Sequence, residues 1–185
     1  MGLFTPRDPQ ALLVALGRGS LEDFLAVYRR RFVAYETSLG TLLEQSLRNS
    51  DLEHGRVPIA HRLLDDGADP RRGHPLHVLL GQRKHDVERE PALVQRMLDL
   101  GADVNGPYPG RGARPLETLA SVFAIPEREL VPYYDVLFAR DDLDLRAEGE
   151  FGVPVVEVLR RWVEHRPELV RRAEAHLARG ARRHR

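Results

Sequence analysis

The sequence predicts an all-α protein, a solenoid of stacked helix–loop–helix units. Three observations predict it. Leu64-Asp65-Asp66-Gly67-Ala68-Asp69-Pro70 and Leu98-Asp99-Leu100-Gly101-Ala102-Asp103-Val104-Asn105 repeat one design. Each is followed within a dozen residues by a Pro-Leu pair, Pro75-Leu76 and Pro115-Leu116. Lining up helix ends at Gly67, Gly101, Arg140 and Gly180 gives spacings of 34, 39 and 40 residues, while the starts Pro75, Pro115 and Pro154 repeat at 40 and 39. Units of this length bury their apolar faces only against neighbouring units.

The elements follow in order. A first pair spans about Asp8–Gly17 and Ser20–Arg31; Leu21, Phe24, Leu25 and Tyr28 trace the i, i+3, i+4, i+7 stripe of its second helix. Thr41 opens the next first helix through Leu42, Leu43 and Leu47. Pro9, Pro58, Pro75, Pro91, Pro115, Pro132, Pro154 and Pro167 each precede an apolar pattern, where a first helical turn tolerates a missing N–H. Val94, Met97 and Leu98 follow Pro91 at helical spacing. Pro132 predicts that a helix starting near Glu127 is interrupted. Gly180-Ala181-Arg182 marks the end of the last helix. No segment alternates apolar and polar residues over a useful length, so little or no sheet is expected. The approximate repeats are 5–38, 39–72, 73–112, 113–151 and 152–185, all within one domain.

These motifs, in this order, resemble those of ankyrin-repeat proteins. That unit reads Gly-x-Thr-Pro-Leu-His, a helix, a Gly-x-x-Glu joint, and a second helix ending Leu-Leu-x-x-Gly-Ala-Asp-Val-Asn. Its first motif is matched by Gly73-His74-Pro75-Leu76-His77, Ala113-Arg114-Pro115-Leu116-Glu117 and Gly152-Val153-Pro154-Val155-Val156. The joint is matched by Gly17-Arg18-Gly19-Ser20-Leu21-Glu22, and the ending most fully by Leu98–Asn105. The departures are a longer period, with extra chain in Gly81–Glu90 and Phe123–Val131, and replacement of the threonine by His74, Arg114 and Val153. Only His77 keeps the histidine. The local ties that this Thr and His supply in the family are therefore replaced or lost in the last two units.

Composition excludes several classes of function. Lys+Arg and Asp+Glu both total 28, so the chain lacks the basic excess that nucleic-acid binding requires. With no cysteine, disulfides, thiolate nucleophiles and zinc–thiolate sites are absent. Met1-Gly2-Leu3-Phe4-Thr5-Pro6 opens no apolar leader, and Pro6 stands where an acylation signal wants Ser or Thr. No apolar run approaches the ~18 residues of a membrane span. The expectation is a cytoplasmic protein, monomeric alone, with no nucleic-acid or membrane partner and no cofactor.

The chemistry-bearing clusters mostly read as scaffold. His74 and His77 lie three apart but lack a third metal ligand nearby, and the repeat motif accounts for both. Asp141, Asp142, Asp144, Glu148 and Glu150 miss the spacing of a calcium loop and fall in an inter-repeat loop, solvated or facing a basic partner. Residues 157–185 carry nine Arg against four Glu, as suits a polar cap ending in a basic tail. No serine sits in a nucleophile elbow. Tyr108, between Pro107 and Pro109, is either displayed for binding or folded onto the neighbouring loop.

The resemblance implies a concave face of loops and first helices used for partners. The expected function is non-catalytic protein recognition, as an immunity protein neutralising a toxin or as a regulatory adaptor of a cytoplasmic enzyme. A metal-dependent enzyme using His74 and His77 is the competing class. Loop tips and first-helix starts nominate Arg71, Arg72, His74, Tyr108, Arg111, Arg114, Glu148 and Phe151 as partner-binding residues, because Tyr and Arg carry much of the energy at interfaces.

Overall fold

A computed structural model describes residues 8–183. Met1–Pro6, on which the leader and acylation readings rest, and the last residues of the basic tail lie outside the described residues. The described chain is mostly helical and divides into two compact units, one ending at Ala102 and one beginning at Asp103.

The first unit holds α1 (Pro9–Arg18), α2 (Leu21–Val27), a short hairpin of β1 (Glu36–Thr37) and β2 (Gly40–Thr41), α3 (Leu42–Ser46), α4 (Arg56–Asp65), α5 (Pro75–Leu80) and α6 (Glu90–Asp99). First helices pack on first helices, α1 on α3 and α3 on α5, and second helices on second helices, α2 on α4 and α4 on α6. The core between them is Leu12, Leu16, Phe24, Tyr28, Phe32, Leu42, Ile59 and Leu63, with Phe24 and Tyr28 stacked at 4.4 Å. Leu25 departs from its expected place and is exposed, because α2 ends at Val27 and only one side of so short a helix reaches the core.

The second unit holds α7 (Pro115–Ala120), α8 (Glu127–Phe138), α9 (Val155–Arg160) and α10 (Pro167–Arg183). The same rule operates: α7 packs on α9, and α8 on α10. Buried Leu116, Leu119, Leu130, Tyr133, Tyr134, Leu137, Leu159 and Leu169 supply the core.

Local chemistry explains the starts and ends. Asp8, Ser20 and Thr41 cap α1, α2 and α3, the last two as full capping boxes with Asp23 and Glu44. Pro9, Pro75, Pro115 and Pro167 occupy the first helical position and Pro91 the second. Gly67 and Gly101 follow α4 and α6 at φ of 99° and 97°, the left-handed turn that lets Ala68 and Ala102 donate back to Leu63 and Met97. No side chain would be crowded at Gly67. Gly67→Ala is therefore expected to cost only the left-handed strain, about 1 kcal/mol, read as a lowered urea midpoint.

Two expectations need correction, on Pro132 and Gly180, while the little sheet expected is what the chain contains. Pro132 lies inside α8 without ending it. The helix loses one bond, to Arg128, and the exposed position of Arg128 lets water reach that carbonyl. Gly180 does not end the last helix, since α10 runs on to Arg183 with no left-handed turn there. A small sheet exists: Glu36 pairs with Thr41 and Thr37 with Gly40, two residues per strand, too short for alternation to betray it.

Candidate binding surface

Four loops precede the first helices after α1, two in each unit: residues 33–41 and 66–74, then 103–114 and 139–154. Each ends in a tip residue followed by a left-handed glycine. The pairs are Leu39-Gly40, Arg72-Gly73, Arg111-Gly112 and Phe151-Gly152, with glycine φ of 105°, 70°, 70° and 69°. Glycine alone adopts this turn without steric cost, and the reversal drives the preceding side chain outward.

Buried carboxylates anchor these loops. Glu44, at the third position of α3, accepts the Thr41 N–H at 2.9 Å and, with its other oxygen, the His74 N–H of the next loop at 2.9 Å. Glu117, at the third position of α7, does the same with Arg114 N at 2.6 Å and Glu150 N at 3.0 Å. Gly73 and Gly149 lie so close that a Cβ would meet Glu44 at 2.5 Å and Glu117 at 2.4 Å. Burial is the largest influence on Glu117 and holds its carboxyl above the usual glutamate range, against the two N–H donors. Its contribution to stability is therefore complete below the ordinary glutamate pKa and declines as pH rises through the folded value.

Arginines also tie the helix pairs together. Arg56, Arg89, Arg114 and Arg166 each stand one or two residues before a proline in a helix start. All four donate to main-chain carbonyls. Arg89 reaches Leu52 O at 2.6 Å and Glu53 O at 2.7 Å. Arg114 reaches Glu148 O at 2.7 Å through Nε, and also Asn105 O. A side chain at a helix N-terminus points back toward the preceding loop, where unpaired carbonyls need donors. Arg114, nominated for partner contact, is thus half-buried and committed to holding two loops of its own unit.

The other nominated residues fall as follows. In the first unit, Arg71 is exposed and bonded to Asp69 at 2.8 Å. Arg72 pairs across the loops with Glu36 at 2.8 Å. His74 is half-buried, its ring edge-on to that of His77 at 6.2 Å. Among the described residues no group of three His, Asp or Glu gathers to hold a metal.

In the second unit, Tyr108 is 37% exposed within an exposed turn, Pro107 to Gly110. Arg111 pairs across the loops with Glu150 at 3.2 Å. Glu148 is exposed, its main chain bridged to Pro154. Phe151 is 69% exposed, with the Arg161 guanidinium 5.8 Å from its ring. Among the described residues it is the one non-glycine residue with positive φ, at 66°. An aromatic residue held left-handed costs roughly 1–2 kcal/mol. Phe151→Gly is accordingly expected to leave stability unchanged or raise it by up to about 1 kcal/mol, measured by urea unfolding. A Phe151 that contributed to packing would give the opposite sign.

Leu39, 64% exposed at the first tip, was not singled out from the sequence. Its signal is there: Leu39-Gly40 lies before Thr41 as Phe151-Gly152 lies before Val153. The four tips therefore run Leu, Arg, Arg, Phe in chain order. In each unit the Arg tip is tethered to an acid on the neighbouring loop, while the apolar side chain of the other tip is exposed.

Elsewhere, a cleft of about 390 Å³ lies between α10 and residues 140–146, lined by Arg140, Asp142, Asp144, Arg146, His176 and Arg179 among others. His176 Nε2 bonds Leu143 O at 3.0 Å, and of the lining charges Arg140 pairs with Asp142 at 3.1 Å.

No protein-family model matches the chain, and no curated protein matches it significantly in sequence. Among solved structures it is similar to a functionally unknown protein from Leptotrichia buccalis C-1013-b, at TM-score 0.72 and 21% identity, over 94% of this chain and 96% of that one. The likeness is one of fold. No helix among the described residues is long and apolar enough to cross a membrane.

Proposed function

We propose that the protein is a non-catalytic recognition module of ankyrin-like repeats, binding a protein partner through its loop tips. Phe151 carries the reading. A chain selected only for folding replaces an exposed, left-handed phenylalanine by glycine or asparagine, since the one ring contact in its own fold, Arg161 at 5.8 Å, returns less than the strain costs at an exposed site. A partner pocket that takes up the ring does reward it, and exposed aromatics beside arginine are the residues that dominate binding energy. Tyr108, Arg111 and Arg161 supply the surrounding contacts in the same unit. The rigid carboxylate-anchored loops keep the ordering cost of association low.

Affinity capture from the source cells tests this with three baits: the intact chain, Phe151→Ala with Tyr108→Ala, and Val163→Ala as an exposed apolar control. The reading expects a protein retained by the first and third baits and lost from the second, with the fold of all three unchanged. Equal retention by all three, or retention by none, goes against it.

A further inference from the structure

We infer that Glu117 is the positioning residue that holds Phe151 in its left-handed, outward presentation; as a statement about binding this rests on the proposed function, but its geometry stands in the free chain. The two oxygens of Glu117 do different jobs. Oε2 accepts Arg114 N and closes the start of α7, which is all that a helix cap requires. Oε1 crosses to the next loop and accepts Glu150 N at 3.0 Å, one residue before Phe151.

The loop is closed tightly around that bond. Gly149 N donates to Val153 O at 2.8 Å and Gly152 N to Gly149 O at 3.3 Å. Gly149 is buried against the Glu117 carboxylate, where no side chain fits. With the main chain fixed at Gly149, Glu150 and Val153, Phe151 and Gly152 must make the reversal between them, both at positive φ. Glycine does so freely; phenylalanine does so because its neighbours leave it no other path. Release of the Glu150 N–H frees the main chain next to Phe151 to relax toward right-handed φ and turn the ring.

Glu44 supplies the contrast. It makes the same pair of bonds, to Thr41 N and His74 N, against the same kind of close glycine. Its loop partner His74 sits at φ −135°, an ordinary conformation. One carboxylate device thus serves two loops, but only in the second unit does it hold a strained tip. Losing either carboxylate weakens the fold; only the loss of Glu117 changes the conformation of Phe151.

The experiment uses the full chain without a partner, as wild type, Glu117→Gln and Glu44→Gln. A glutamine at 117 keeps the size but offers one acceptor where two N–H groups point. NMR reads the Phe151 HN–Hα coupling and Cα shift, which distinguish left-handed from right-handed φ, and amide exchange at Glu150. Glu117→Gln is expected to abolish the left-handed signature and speed exchange at Glu150 about tenfold, the factor for one lost hydrogen bond. Glu44→Gln should leave both unchanged. If Glu117→Gln does not fold, Gly149→Ala, which pushes a methyl into the carboxylate, is read the same way. A folded variant that keeps the left-handed Phe151 overturns the inference and leaves Glu117 a helix cap. Because no partner enters the measurement, failure of the capture experiment leaves this result standing, and the reverse.

Discussion

Arg166→Met is expected to be among the most damaging single substitutions in the chain, lowering stability by about 2–4 kcal/mol. Arg166 is buried, and among the described residues its guanidinium meets no carboxylate; it donates to Ala120 O at 3.1 Å, Ile125 O at 3.1 Å and Val122 O at 2.7 Å. These are carbonyls at the end of α7 and in the turn that leads to α8, two of which, Ala120 O and Ile125 O, the helix end does not satisfy for itself. Methionine fills the space but leaves Ala120 O and Ile125 O without that donor, Val122 O keeping the Ile125 N–H at 3.2 Å, and an unsatisfied buried carbonyl costs more than a made bond contributes. Lysine keeps the charge but not the fork, so Arg166→Lys should fall between the two. Trp162, the only tryptophan, lies next to this site and accepts the Arg166 N–H at 2.8 Å. Its fluorescence during urea unfolding reads the loss directly. A change below about 1 kcal/mol would mean that water reaches those carbonyls as readily as the arginine does.

In the first unit the comparable substitution is Arg56→Met, expected to cost about 3–5 kcal/mol, because it strips one partner from a buried ionic cluster. Arg56 Nη1 lies 2.7 Å from Glu90 Oε1, and His85 Nδ1 lies 2.5 Å from Glu90 Oε2; the three side chains are 4%, 1% and 0% exposed, taken as Arg56, His85 and Glu90. Arg56 also donates to Asn49 O and Lys84 O. Burial pushes the Glu90 carboxyl up, but the His85 hydrogen bond and the charges of His85 and Arg56 outweigh it, so the group sits below the ordinary glutamate range. Its stabilisation is then present above the unfolded glutamate pKa and is lost as pH falls through the lower folded value. Urea midpoints measured down the acid range should fall less steeply for Glu90→Gln than for the wild type. Parallel slopes would show that Glu90 carries no net linkage. Glu117, shifted in the opposite direction, changes stability only above the ordinary glutamate range, so it leaves this acid slope untouched.

The helices were legible because their signals are local. Pro75 and Pro115 at first positions, and Gly67 and Gly101 in left-handed turns, follow from the conformational limits of single residues. Where the reading failed, a neighbour overrode the local signal. Pro132 sits inside α8 because packing of Leu130, Tyr133, Tyr134 and Leu137 outweighs one lost bond to a wet carbonyl. Gly180 stays helical because α10 continues through it. The tip residues Tyr108, Arg111 and Phe151 were recognisable from loop position alone. Their supports were not: Glu44, Glu117, Arg56, Glu90 and Arg166 look like surface charges in one dimension, and each makes a contact 30 or more residues away that sequence order hides. One trace was readable: Arg56, Arg89, Arg114 and Arg166, four of the arginines that bond to carbonyls, stand just ahead of a proline in a helix start.

The bonds that join one helix pair to the next reach about one pair along the chain. Glu44 finds His74 at a separation of 30 residues, Arg114 finds Glu148 at 34, and Arg166 finds Ala120 at 46. Closing a loop of that size carries a modest and nearly uniform entropy cost wherever it occurs. No step within either unit must wait for the two ends of the chain to meet, so folding has several equivalent places to begin. A chain emerging from the ribosome can therefore secure each pair as soon as its successor has been made.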